Sequence, residues 1–188
     1  MHGLRRELLE AQANAIAIPL QTIELPESPS MEVYNNLMQE TVEGLVTDGY
    51  THTAFGDIFL EDLRAYREQQ LQPLGIQCVF PLWKKDTKVI LQEFLDLGFK
   101  AIVICTKAEL LDASFVGRVI DEQFINDLPD TVDPCGENGE FHTFCYDGPI
   151  FKYPISFRTC KKTYREYPNP EKDVANKSMG FWFCDLIP

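Results

Sequence analysis

The reactive side chains of this sequence concentrate in Asp133-Pro-Cys-Gly-Glu-Asn-Gly-Glu-Phe-His-Thr-Phe144. Glu137, Glu140 and His142 bring two carboxylates and an imidazole into one short span, a set that can bind a cation, hold an amine or ammonium, or move protons. Gly136 and Gly139 permit positive φ and hence a tight turn, and the Phe-His-Thr-Phe-Cys-Tyr run that follows is rich in strand formers. On such a strand the two-residue period sets Glu140, His142, Phe144 and Tyr146 on one face and Phe141, Thr143 and Cys145 on the other. A structural reading stands beside the chemical one. Glu137-Asn138-Gly139 also suits a solvated hairpin turn, and a lone His142 suits a hydrogen-bonded, partly buried position.

A second candidate centre lies where two strand-like runs end. Gly56 and Asp57 follow Thr51-His-Thr-Ala-Phe, and Trp83 and Lys84 close Cys78-Val-Phe-Pro-Leu. The carboxyl ends of parallel strands are where open α/β sheets bind ligands. Asp57 can orient Mg²⁺ or a nucleotide, or it can cap a helix starting at Ile58; Glu61, one turn on, shares its exposed face. Trp83 can cover an adenine, or it can be a core indole beside a solvated lysine.

The elements that must position these residues alternate along the chain. Leu4, Leu8, Ala11 and Ala15 form the apolar stripe of a helix over 3–16 that stops before Pro19. Leu20–Leu25 alternates as a strand. After the Pro26–Ser30 turn a helix runs to about Val46, with Val33, Leu37, Val42 and Leu45 facing inward. Strand Thr51–Gly56, a helix from Asp57 to about Gln72 and strand Cys78–Trp83 follow. Asp86 opens a helix that Gly98 closes, and Lys100–Cys105 is the most apolar strand. Such alternation predicts right-handed crossovers and a Rossmann-like parallel sheet with helices on both faces over 1–110. Over 111–188 the pattern changes to helix or two short helices at Leu110–Leu128, the glycine turn, short strands and a polar stretch at 165–173. This predicts a smaller mixed α+β C-terminal substrate domain.

Composition narrows the function classes. With 45% hydrophobic and 24% charged residues the chain is globular. A formal net charge of −12, spread without blocks, disfavours nucleic acid and anionic membranes, although Arg158–Arg165 forms a local basic tract. No run approaches the ~18 apolar residues of a membrane span and the N-terminus lacks a signal-peptide core, so a soluble cytoplasmic protein is expected. The six cysteines show no C-x-x-C pair or metal-finger spacing. Cys78 and Cys105 read as small buried hydrophobes, and Cys135 is the one thiol placed among reactive groups.

Met1-His-Gly-Leu-Arg-Arg-Glu-Leu, Ala54-Phe-Gly-Asp-Ile-Phe-Leu-Glu-Asp-Leu-Arg-Ala-Tyr-Arg67, Phe80-Pro-Leu-Trp83, Asp133–Phe144 and Asp147-Gly-Pro-Ile-Phe151 together resemble the diphthine–ammonia ligase family. That family belongs to the ATP pyrophosphatases with an adenine-nucleotide alpha-hydrolase-like fold. Asn138 and His142 make the motif more similar to bacterial members than to archaeal or eukaryotic ones. The resemblance implies that ATP, with Mg²⁺, adenylates a carboxylate, that AMP and pyrophosphate are released, and that ammonia forms the amide. It implies Glu137 and Glu140 as ammonia or substrate ligands, His142 as proton carrier, and Gly136, Asn138, Gly139 and Thr143 against the substrate. Gly56, Asp57 and Trp83 fall to the nucleotide and Asp57 to the metal. The expected partners are ammonia and a small-molecule or protein-bound carboxylate; bacteria lack diphthamide, so a bacterial member acts on another acid.

One departure separates the sequence from the family pattern. The phosphate-gripping S-G-G-x-D-S loop, with its strand and helix, has no counterpart here, and Met1-His-Gly matches an internal point of the pattern. A parallel sheet without that strand is expected to expose edges and to self-associate. The alternative function is a non-catalytic nucleotide- or protein-binding relative.

Overall fold

The computed structural model describes residues 3–26, 29–168 and 178–188. Met1 and His2 of the N-terminal motif, and the 169–173 part of the expected polar stretch, lie outside them. In chain order the elements are α1 (Arg6–Ile16), α2 (Met31–Thr47), β1 (His52–Ala54), α3 (Glu61–Leu71), β2 (Gln77–Val79), α4 (Thr87–Asp96), β3 (Lys100–Lys107), α5 (Glu122–Asp127), β4 (Phe141–Asp147), β5 (Arg158–Pro168) and β6 (Ser178–Ile187). The chain is mixed α/β, with a small parallel sheet and a larger antiparallel one. It forms two compact units, Met1–Leu20 with Asp86–Pro188, and Gln21–Lys85. The boundary expected at residue 110 falls inside the first of these.

The first unit is built on the antiparallel order β4-β3-β6-β5. β3 is its centre, and Ala101 to Thr106 are buried along its length. Ile102 and Ile104 point into a core with Leu8 and Ala15 of α1, Phe144, Cys184 and Leu186. Ala101 and Val103 point into a second core with Leu91 of α4, Phe124 of α5 and Phe141. Each large aliphatic side chain withdrawn from water here contributes roughly 1.5–3 kcal/mol. The predicted stripe of α1 is borne out, with Leu4 and Ala11 packed against the same core. The expected parallel pairing of Lys100–Cys105 is not. β3 runs antiparallel to both β4 and β6, because a strand covered on two faces is apolar throughout whichever way its neighbours run.

Local chemistry sets the ends of these elements. Asp86 caps α4 by accepting the Lys88 and Val89 N–H groups, as the sequence predicts. The helix expected over Leu110–Leu128 shrinks to α5, capped by Asp121, which accepts from the Phe124 N–H. The residues before it serve instead to pair with β3, through Gly117 N–H to Val103 C=O and Val103 N–H to Arg118 C=O.

In the second unit β1 and β2 pair in parallel, His52 opposite Gln77 and Ala54 opposite Val79, and α3 crosses between them. Val42, Leu71 and Ile76 form its core, with Phe55, Leu74 and Cys78 packed against it. Ser30 caps α2. Of the inward face expected on α2 only Val42 is buried, and Val33 is 39% exposed. The strand expected over Leu20–Leu25 does not form. Among the described residues no third strand joins β1 and β2, and no helix is long and apolar enough to cross a membrane.

Candidate functional site

The turn that leads into β4 is organised by its own carboxylates. Asp133 opens it: one Oδ1 atom accepts the N–H groups of Cys135 at 2.9 Å and Glu137 at 3.2 Å, and the Asp133 carbonyl accepts the Gly136 N–H at 2.9 Å. Gly136 C=O in turn accepts the Gly139 N–H at 3.0 Å. Both glycines have positive φ, +69° and +78°. Gly136 is fixed by space as well, since a Cβ there would lie 2.9 Å from the Phe141 carbonyl oxygen.

Glu140 closes the turn from inside. Its side chain is 2% exposed; Oε1 accepts from the Asp133 N–H and from Asn138 Nδ2, both at 3.0 Å, and Oε2 accepts the Asn138 N–H at 2.9 Å. Burial alone would raise its pKa, but the bonds from the Asn138 side-chain amide and from the backbone N–H groups of Asp133, Glu140 and Asn138 outweigh burial and hold the carboxyl below its ordinary value. Glu140 is therefore an ionised acceptor spent on the turn, and its carbonyl fixes the turn to β3 by accepting the Lys107 N–H at 2.8 Å.

The other residues of the motif sit around this frame. Glu137 and His142 are half-buried, while Asn138 and Thr143 are exposed. His142 lies opposite Cys105 in the β3–β4 ladder and Thr143 opposite Val103. The alternation along β4 agrees with the sequence, since Phe144 and Tyr146 meet one core and Phe141 and Cys145 the other. Cys135 donates to the Thr87 carbonyl at 3.3 Å. Burial, then the charges of Asp133, Glu137 and Asp86, push its thiol up to about 12, so it braces the turn against α4 as an unreactive thiol. Glu137 and His142 are both half-buried, the first in the turn and the second on β4.

The second set of expected residues lies in the other compact unit. Asp57 does not cap α3, which starts at Glu61 behind Leu60 with no side-chain cap. Instead Asp57 is buried and pairs with Arg67, Nε to Oδ2 at 2.6 Å and Nη2 to Oδ1 at 3.3 Å. Both its oxygens are engaged and Glu61 turns to Lys84 at 3.1 Å, so this donor set does not fit a Mg²⁺ ion. Among the described residues no group of three or more acidic, histidine or cysteine side chains could hold a metal. Trp83 is half-buried, packed at 5.8 Å from Phe80, and the Arg64 guanidinium lies over its ring at 4.7 Å and over Phe80 at 4.8 Å. Gly56 is exposed, and a Cβ there would meet nothing.

Asp133, Arg64 and Arg67 are the residues that sequence reasoning passed over. Asp133 had a legible signal, because Asp-Pro-x-Gly is an Asx-turn sequence. Arg64 had the i,i+4 pairing with Glu68, at 2.9 Å, but its place over Phe80 and Trp83, and the pairing of Arg67 with Asp57, depend on residues outside their helix.

Residues 86–171, which contain the whole carboxylate turn, match the family model described as diphthamide synthase C-terminal domain. Over 162 residues the chain is 28% identical to the diphthine–ammonia ligase of Bos taurus and 27% identical to that of Homo sapiens. Each match takes in 78% of this chain and 61% of the relative, so the chain spans about three fifths of the length of the relatives it matches. A diphthine–ammonia ligase of Schizosaccharomyces pombe is 30% identical over 92 residues, 47% of this chain and 15% of the relative.

Proposed function

We propose, from the chain's similarity to the diphthine–ammonia ligase family, that it takes part in ATP-dependent amide formation, in which a carboxylate is adenylated with release of pyrophosphate and ammonia then displaces AMP to form the amide. The observation that carries the reading is the turn from Asp133 to Glu140. Two of its carboxylates, Asp133 and Glu140, fix the backbone of the turn that carries Glu137 and leads into the strand that carries His142, which supports the reading. Glu137 is the ligand for ammonia and His142 the group that takes its proton; Glu140 acts through the turn as a positioning residue. The exposed Asn138 and Thr143, with Gly136 and Gly139, form the surface the acid substrate meets.

The β1–α3–β2 crossover supports a Rossmann-like reading of Gln21–Lys85, with Gly56 and Trp83 as the residues a nucleotide would meet. ATP, when bound, would supply the adenylyl group that activates the carboxylate. No step is assigned to Mg²⁺, because Asp57 is committed to Arg67. Cytoplasmic location and self-association belong to the same reading.

A second reading, a nucleotide- or protein-binding relative without catalysis, is favoured by that same commitment of Asp57. Carboxylate-dependent release of pyrophosphate and ammonium-dependent release of AMP, followed beside amide product over a set of carboxylate acceptors, separate the two. The ligase reading expects Glu137→Gln to lower amide formation by ~10²–10⁴-fold while pyrophosphate release continues. Equal amide formation in both proteins would return Glu137 to a turn residue.

A further inference from the structure

We propose that the outer edge of β5 accepts an acidic, extended polypeptide segment as an added strand. β5 ends the sheet order β4-β3-β6-β5, and among the described residues no strand pairs with its far side. From Arg158 to Pro168 every residue except Tyr167 is exposed. A strand so placed presents a row of backbone N–H and C=O groups at the spacing another chain needs.

Charge selects the occupant. β5 carries Arg158, Lys161, Lys162 and Arg165 against the single acid Glu166, in a chain whose formal net charge is −12. Glu166 is already an acceptor for the Tyr164 hydroxyl and the Ser178 hydroxyl, each at 3.1 Å. Lys162 is held to the Ala113 carbonyl at 2.6 Å, and Arg165 lies 5.5 Å over the Phe183 ring, so both cations are kept on the sheet faces. Two copies of β5 laid side by side would set cation against cation, which disfavours self-pairing, whereas Glu or Asp in a cross-strand position is attracted. An oligonucleotide meets the same charges but cannot complete the backbone ladder, and the unpaired ladder is what favours a peptide.

The length of the docking edge is also set. The pairing with β6 shifts register between Thr159 and Lys162, which bends the strand there, and Pro168 has no N–H to offer. The regular edge therefore runs from Lys162 to Pro168, with Arg158 and Lys161 flanking it. The proposal stands on the edge alone and is independent of the ligase reading.

Fluorescence anisotropy with the full chain tests it. The probe is a fluorescein-labelled peptide of alternating Glu and Val, compared with a Lys–Val peptide, the Glu–Val peptide N-methylated on alternate residues, and a labelled oligothymidylate. Binding of the Glu–Val peptide should be at least about tenfold tighter than that of each comparison probe. The double variant Arg158→Glu with Lys161→Glu, at exposed positions whose folding is checked by melting, should weaken it by about tenfold or more. Equal binding of the N-methylated peptide would leave charge without strand addition and overturn the proposal. Tighter binding of the oligothymidylate, or no binding of any probe, would do the same.

Discussion

Replacing Glu140 by Gln tests the frame of the turn with almost no change in volume. In the native side chain Oε1 receives two donors and Oε2 one. The amide nitrogen of Gln must stand in one of these places. At Oε2 it faces the Asn138 N–H and one bond becomes a donor–donor contact; at Oε1 two bonds are lost, so the first orientation is adopted. A hydrogen bond to a charged acceptor contributes about 1.5–3 kcal/mol, and the stranded N–H adds to the loss, which gives a destabilisation of about 2–4 kcal/mol. For a chain of this size that lowers the melting temperature by about 4–16 °C.

The pH dependence gives an independent reading of the same group. The folded carboxyl lies below its ordinary value, so its contribution is fully present above the unfolded glutamate pKa of ~4.3 and is lost as pH falls through the lower folded value. Native protein should lose stability over that acid window, and Glu140→Gln should lose less of it. Thermal melts of both proteins from neutral pH downward supply the measurement. A variant that melts within a degree of the native chain at neutral pH would refute the idea that Glu140 holds the turn.

Four further outcomes follow from the geometry. Gly136→Ala should cost about 1–3 kcal/mol through its positive φ and should exceed Gly139→Ala, because only the first Cβ meets a carbonyl oxygen; paired denaturation curves decide it. With iodoacetamide near pH 8, the exposed Cys160 should label well before Cys135, whose thiol is buried and pushed up to about 12; peptide mapping at timed intervals that found the reverse would contradict the bracing role. Asp57→Asn should destabilise the chain by roughly 1–3 kcal/mol through loss of the Arg67 pair, while leaving any Mg²⁺ titration by calorimetry unchanged. Arg67→Met should cost as much as Asp57→Asn or more, because it strands the Asp57 carboxylate and removes the cation 4.2 Å above the Phe55 ring.

Sequence reasoning located elements whose signals are local. The Asp86 cap of α4, the apolar stripe of α1 and the glycine turn feeding β4 each depend on neighbours within a few residues. Strand direction was not legible, since β3 is covered on both faces and its unbroken apolar run carries no record of which way β4 and β6 pass it. Asp57 suited either a ligand or a cap because it precedes a helical run; its partner Arg67 lies in the second turn of α3, beyond the reach of a capping argument. Glu140 was singled out for chemistry, and the two-residue period could not reveal that its donors come from Asp133 and Asn138 in its own turn.

The discontinuity of the first unit has a bearing on how the chain is made. Arg5 clasps Asp185 through Nε and Nη2, and these residues are 180 positions apart. Leu8 and Ala15 of α1 share their core with Cys184 and Leu186 of β6. At ~5–20 residues per second, a ribosome takes about 10–35 s to deliver β6 after α1 has appeared. The Gln21–Lys85 unit is uninterrupted in sequence and can complete itself within that interval. The apolar stripe of α1 has to wait in solution for its partners, which makes the nascent chain, rather than the finished protein, the form most in need of a chaperone.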